Sequence, residues 1–218
     1  METLSKSELQ ELEKQLSCPS GDMGLEVGRR MHDSNINMTL NTLAEMQLDA
    51  GMKILELGHG NAQHAYTVLK EASNLHYCGL EISLTMHNQA IKINKELIEK
   101  EKTSFHLYQG DKIPFKTNSF DRVFTVNTIY FWRNPTVLLQ EIERVLKPGG
   151  QCLITYAQKE FMKKLPFVGH QFWLYDNEEV SKLVEGTNLK LLTFIDNAET
   201  MKEGPTRREY TIAKTLKA

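Results

Sequence analysis

One stretch constrains this chain more than any other: Ile54-Leu-Glu-Leu-Gly-His-Gly-Asn-Ala, a short apolar run that stops on alternating small residues and leads into a helical pattern. A run of that character reads as a buried strand. Glycine belongs where a backbone turns sharply and where another group must come close to it. The same rhythm continues along the chain. Strand-like runs at 75–80, 103–108, 120–126 and 152–156 alternate with helical faces, one carrying Met86, Ala90, Ile93 and Leu97, another Leu138, Ile142, Val145 and Leu146. Further helices are expected over about 62–72 and 176–185. Repeated strand–helix–strand units with short apolar strands require right-handed crossovers and a mainly parallel sheet covered on both faces. The last two runs, 189–195 and 208–213, are separated only by a turn and should pair antiparallel as an edge hairpin.

Ahead of the first strand, Leu9, Leu12 and Leu16 have helical spacing, Cys18-Pro-Ser-Gly-Asp-Met-Gly reads as a loop, and a second helix runs to about Leu48. Residues 1–50 are therefore expected to form helices and a lid over a domain spanning 51–218, one structural domain at this length. With 26 Lys and Arg against 28 Asp and Glu, the net charge is −2, which argues against a general nucleic-acid binder. No apolar run is long enough to span a bilayer. The start is charged and lacks the apolar core of a signal peptide, so a cytoplasmic location is expected. Cys18, Cys78 and Cys152 lie far apart, and Cys78 and Cys152 sit in apolar runs as buried small hydrophobes. His59 and His64 fall five apart across a turn, a spacing that does not hold two ligands on one helical face, and no metal site is expected.

The chemistry concentrates at the glycine turn. Glu56 stands at the strand end, Gly58, Gly60 and Ala62 follow at alternate positions, and the next helix should offer unpaired N–H groups to an anionic group. In a doubly wound sheet such a turn lies at the edge where ligands bind. The second strand ends at Glu81, 23 residues past Gly58, and an acid there suits the two hydroxyls of a ribose. These features leave open which adenosine-containing cofactor is held. The nicotinamide fingerprint G-x-G-x-x-G/A is not met, because its third position is Gln63.

Here the sequence resembles a known family. Glu56-x-Gly58-x-Gly60-x-Ala62 is similar to motif I of the class I S-adenosylmethionine-dependent methyltransferases, and Gly79-Leu-Glu81-Ile-Ser to their acidic second-strand motif. Gln109-Gly-Asp111-Lys-Ile-Pro-Phe115 with Ser119-Phe-Asp-Arg-Val123, and then Glu141-Ile-Glu-Arg-Val-Leu-Lys-Pro-Gly-Gly150, resemble the signatures of the type 11 subgroup. Ala62 replaces the usual third glycine, a change expected to keep the turn and narrow the methionine pocket.

The resemblance implies a Rossmann-like, seven-stranded α/β fold and S-adenosyl-L-methionine as cofactor. It implies that Glu56 binds the cofactor's ammonium group, directly or through water, and that the loop of Gly58, His59, Gly60, Asn61 and Ala62 passes beside the methionine moiety. Glu81 would accept the ribose hydroxyls with Ile82 beside the adenine. Asp111 would take the adenine amino group with Gly110 and Lys112 lining that pocket, and Asn127 would offer its carbonyl near the methionine part.

The expected reaction is methyl transfer to a small molecule by in-line displacement at the sulfonium, which depends mainly on positioning. A hydroxyl acceptor would need a base. His32, in the polar stretch Arg29-Arg-Met-His, is the candidate base. Tyr130, Phe131 and Trp132 follow Asn127, where the resemblance implies substrate-facing residues, and Tyr130 is the second catalytic candidate, its aromatic face suited to stabilising the cation. The aromatic cluster from Phe161 to Tyr175 is a possible wall for an apolar substrate. A nucleotide-dependent oxidoreductase and a non-catalytic cofactor-binding protein of the same fold are the alternatives.

Overall fold

In a computed structural model, which describes residues 4–201 and 207–218, two helices precede the sheet: α1 (Lys6–Ser17) and α2 (Gly21–Glu45). The chain continues through β1 (Lys53–Leu57), α3 (Ala65–Lys70), β2 (His76–Glu81), α4 (Leu84–Ile93), α5 (Lys95–Glu99) and β3 (Thr103–Leu107). Next come β4 (Phe120–Val126), α6 (Pro135–Val145), β5 (Leu146–Ala157), α7 (Lys159–Met162), α8 (Asn177–Glu185), β6 (Leu189–Thr200) and β7 (Arg207–Lys217). The turn expected between the last two strands, and the first three residues of the charged N-terminus, lie outside the described residues.

The sheet runs β3-β2-β1-β4-β5-β7-β6. Its first five strands pair in parallel, and β7 inserts antiparallel between β5 and β6. Strand order reverses beside β1, where β2 lies on one side and β4 on the other, and that reversal opens a crevice at the strands' C-terminal ends. The central strands are apolar on both faces because both are covered. Ile54, Leu55, Val123, Phe124, Leu153 and Ile154 are fully buried, and α6 adds Leu138, Leu139, Ile142 and Val145. Each such side chain contributes roughly 1.5–3 kcal/mol of burial.

Several boundaries differ from expectation, for local reasons. Helix α3 starts at Ala65 instead of near 62, because Ala62 has φ +49 and cannot belong to a right-handed helix. Its partner helix breaks at Asn94. That side chain is buried and its Nδ2 donates to the carbonyls of Ala62 and Ala90, both at 3.0 Å, so it replaces the exposed Ile93 on the inner face. Residues 21–24 belong to α2, not to a loop. Strand β5 begins at Leu146, so Lys147-Pro-Gly-Gly leads into the strand across a register shift, with Gly149 at φ +75. Cys152 is buried, which pushes its thiol up to about 12, whereas Cys78 is only half-buried.

Helix α2 lies over the crevice, tied at three levels. Ser83 Oγ donates to the Pro19 carbonyl at 2.5 Å just before the helix. Gly28 then passes Met86 so closely that a Cβ would lie 2.3 Å from the sulfur. Further along, Arg208 of β7 donates to the Ser34 carbonyl at 2.5 Å and to Asn35 Oδ1 at 2.9 Å. Among the described residues no helix is long and apolar enough to cross a membrane.

Candidate active site

A cavity of about 1820 Å³ opens at the crevice beside β1, between the strand ends, α2 and the segment following α7. Its floor is the glycine turn. Gly58 (φ +71) and Gly60 (φ +57) both adopt left-handed backbone, for different purposes. A Cβ on Gly58 would lie 2.4 Å from Thr128 Cγ2, so this glycine allows the turn to pack on the loop after β4. A Cβ on Gly60 would meet nothing within 4 Å, so the turn is open on that side.

Glu81 links the two halves of the floor. Its Oε2 accepts the Gly60 N–H at 2.9 Å, and its Oε1 accepts those of Ile82 at 2.8 Å and Ser83 at 2.9 Å. The side chain is 5% exposed. Burial raises its pKa, opposed by those three N–H groups. A carboxylate has roughly four acceptor sites, so capacity remains towards the cavity. Ile82 is an apolar side chain left 41% exposed, a Cβ on Gly110 (φ +89) would lie 3.7 Å from it, and both line the cavity with Asp111.

Glu56 is buried with His64, whose Nε2 lies 2.7 Å from Glu56 Oε2, and the Tyr77 hydroxyl donates to the same oxygen. Burial by itself would raise the Glu56 pKa, but His64 and the Tyr77 hydroxyl outweigh it and the group is held below the usual carboxylate range. The sequence offers His64 only as half of a histidine pair whose spacing does not hold a metal; its role as the carboxylate's partner depends on β2 delivering Tyr77 alongside. His59 Nδ1 donates to the Gly60 carbonyl at 2.8 Å, and its buried Nε2 has no hydrogen-bond partner. Burial pushes this imidazole down to about 4, so it is neutral at pH 7.

The other sequence candidates divide. Asn61 lines the cavity, and its Oδ1 accepts the Gln63 N–H at 3.1 Å. Ala62 and Lys112 are not among the lining residues. Ala62 is fully buried, so its methyl does not face the cavity. Helix α3 has six residues, and the turn's N–H groups at Ala62 and Ala65 bond to the His59 and Ala62 carbonyls, so the expected helix-end anion site is largely used internally.

Asn127 (φ +57) donates to Asn35 Oδ1 at 3.0 Å, and its own Oδ1 accepts the Tyr130 hydroxyl at 2.9 Å. The Tyr130 oxygen also accepts the Ala157 N–H at 2.6 Å, and burial drives its pKa well above the phenol range. Tyr130 therefore positions Asn127 and is poorly suited to act as a base. His32 lines the cavity from α2 and stacks on His64 with ring centroids 5.9 Å apart and planes 12° apart. Burial, and then the neighbouring His64, lower its pKa, with Asp33 and Glu56 opposing. Arg29 and Arg30 are exposed and paired with Asp33 and Glu26 on their own helix.

An adenosine cofactor carrying a methionine fits these residues: a carboxylate with free acceptor capacity, open space at Gly60, an exposed apolar side chain at Ile82, and Glu56 Oε1, which makes no hydrogen bond among the described residues. A doubly wound sheet with a glycine turn and a strand-end acid at its switch point defines the nucleotide-type class of cofactor site. A family model described as a methyltransferase domain matches residues 55–154. The uncharacterized methyltransferase YdaC of Bacillus subtilis (strain 168) is 30% identical over 128 residues, covering 57% of this chain and 67% of that protein. The chain spans about half the length of other curated relatives it matches, 49% and 47% in two cases.

Among solved structures, a SAM dependent methyltransferase from Aquifex aeolicus has TM-score 0.66 at 18% identity, covering 99% of this chain and 100% of that one. The phosphoethanolamine N-methyltransferase 2 of Haemonchus contortus, in complex with S-adenosyl-L-methionine, has TM-score 0.67 at 18% identity over 83% of this chain and 52% of that one. This chain belongs to the class I S-adenosylmethionine-dependent methyltransferases, and S-adenosylmethionine is its cofactor.

Proposed function

We propose that the protein methylates a small-molecule acceptor, with His32 receiving the acceptor's proton. The observation that carries this reading is the placement of His32: an imidazole on α2, with no ring hydrogen bond among the described residues, facing the same cavity as the Gly60 and Glu81 floor. Bound S-adenosylmethionine supplies a methyl on a sulfonium, already activated for displacement. What remains for the chain is positioning and one proton.

Glu81 accepts from the ribose hydroxyls, Ile82 and Gly110 bound the adenine, and Asp111 takes its amino group. Glu56 Oε1 meets the ammonium group, while its other oxygen is fixed by His64 and Tyr77. Asn127, held by Asn35 and Tyr130, closes the methionine end. The neutral form of His32 is favoured by its half-buried setting and by His64, which suits a base at pH 7. The slightly acidic net charge of −2 favours a small acceptor over a nucleic acid.

A thermal-shift comparison tests the cofactor arm. S-adenosylhomocysteine should raise the melting temperature in a concentration-dependent way and NADH should not. Stabilisation by NADH alone would return the protein to the oxidoreductase class. Single-turnover transfer from labelled S-adenosylmethionine to candidate acceptors tests catalysis, and its absence across them would leave only a binding protein.

A further inference from the structure

The cavity is too large for one ligand. At about 1820 Å³ it exceeds the roughly 300–1,000 Å³ of a single small-molecule pocket, so the chamber has room for a second ligand beside the cofactor floor. Its wall is aromatic. The Phe131 and Phe172 rings lie 4.7 Å apart, Tyr130 is 5.9 Å from Phe172, and Phe167 is 6.4 Å from it on the outer side. Met31 and Val27 of α2 add apolar side chains to the cavity lining.

Three of the four arginines around the chamber are already paired within the protein. Arg208 is 4% exposed, and its Nε and Nη2 donate to Glu199 at 2.9 and 2.6 Å. Its Nη1 donates to Asn35, Arg29 pairs with Asp33, and Arg30 pairs with Glu26. Arg133 stands at the rim and is exposed. Apart from this solvent-exposed Arg133, which makes no ion pair among the described residues, a phosphate or carboxylate would meet no free cation among these groups, and an unpaired charge moved out of water is strongly disfavoured. Of the three imidazoles lining the cavity, His59 and His64 already bond within the protein, whereas His32 does not.

We propose that the acceptor is an apolar molecule with one protic group, its body against the Phe131–Phe172–Phe167 wall and its hydroxyl or thiol towards His32. This rests on the methyl-transfer reading of the same cavity and names the acceptor class for it. Two elements far apart in sequence assemble the chamber: Gln171 donates its backbone N–H to Glu13 Oε1 at 2.6 Å, and Ser17 Oγ donates to Gln171 at 3.0 Å, which closes α1 onto the aromatic segment.

Calorimetric titration of 4-alkylphenols, from 4-methylphenol to 4-octylphenol, into the protein saturated with S-adenosylhomocysteine tests the class. Affinity should rise about threefold to fourfold per added methylene until the chamber is filled. Phosphoethanolamine and glycine, the polar controls, should give no measurable binding. Phe172→Ala should weaken the longest bound alkylphenol at least about tenfold while S-adenosylhomocysteine affinity stays within about threefold. If Phe172→Ala does not fold, Phe167→Ala, on the outer side of the wall, serves with the same expectation at smaller size.

A flat response to chain length, tighter binding of either polar control, or alkylphenol binding indifferent to both variants would overturn the acceptor class. Those results leave the cofactor reading standing. Failure of S-adenosylhomocysteine to bind at all would remove that reading instead.

Discussion

The two halves of the cavity are built differently. On the cofactor side the polar atoms are fixed by backbone: Glu81 by three N–H groups, Gly58 and Gly60 by left-handed φ at a strand end. On the acceptor side the walls are side chains carried by α1, α2 and the segment after α7, joined by contacts such as Ser17 to Gln171. The first half derives its precision from the sheet, so its geometry is common to any chemistry that uses the cofactor. The second is free to change with the acceptor, because replacing a ring there alters no strand pairing.

The strongest way to break that contrast is at Gly60. Gly60→Val places a branched side chain in the open space and in left-handed backbone, at a strain of roughly 1–2 kcal/mol. The fold should persist, and S-adenosylhomocysteine affinity should fall by at least about 100-fold in calorimetry. A folded variant with unchanged affinity would show that nothing passes beside Gly60.

His32→Gln sharpens the contrast from the other side. The turnover rate should drop by about 100-fold or more with a hydroxyl acceptor, while cofactor affinity stays within about threefold. The native pH profile should be level near pH 7 and fall in acid through a pKa below the ordinary histidine value of about 6.5, since the neutral imidazole is the active form and its pKa is lowered. That acid limb should vanish in the variant. A limb that persists would assign the titration to another group.

His59 gives a smaller effect, on stability. A histidine with an unfolded pKa of about 6.5 that is held near 4 in the fold takes up its proton first in the unfolded chain. Stability should therefore fall as pH drops from about 6.5 towards 4, with a contribution of about 2 kcal/mol lost between pH 7.5 and 5. Urea midpoints at the two pH values measure it. His59→Asn, which retains a donor for the Gly60 carbonyl, should show a correspondingly shallower dependence.

The same contrast governs what the sequence made legible. The strand order's raw material, the glycine turn and the spacing to Glu81 are local patterns, and the seven-stranded mixed sheet follows from them. Gly60 and Glu81 are brought to one hydrogen bond by the parallel pairing of β1 with β2, which sets Leu57 opposite Leu80. The pairing of Glu56 with His64 was hidden because it requires a third residue, Tyr77, from the neighbouring strand. The position of Tyr130 just past Asn127 marks an aromatic face as a catalytic candidate and carries no information about where its hydroxyl goes. Only the fold shows it occupied by Asn127 and Ala157. The chamber was least visible of all: Asn35 meets Asn127 across 92 residues and Ser17 meets Gln171 across 154, distances over which no periodicity carries information.

The central claim, that a backbone-fixed cofactor floor adjoins a separately built acceptor chamber, is tested most directly by titrating S-adenosylhomocysteine into Glu81→Ala and Phe172→Ala side by side. Removal of the Glu81 carboxylate should cost about 2–3 kcal/mol of binding, or roughly 30- to 150-fold, because charge-assisted hydrogen bonds to the ribose are lost and water only partly replaces them. The three freed N–H groups will also lower stability, so the titration is run below the variant's melting temperature. Phe172→Ala should leave the affinity within about threefold. Equal losses in both variants, or a loss under about threefold at Glu81, would contradict the division.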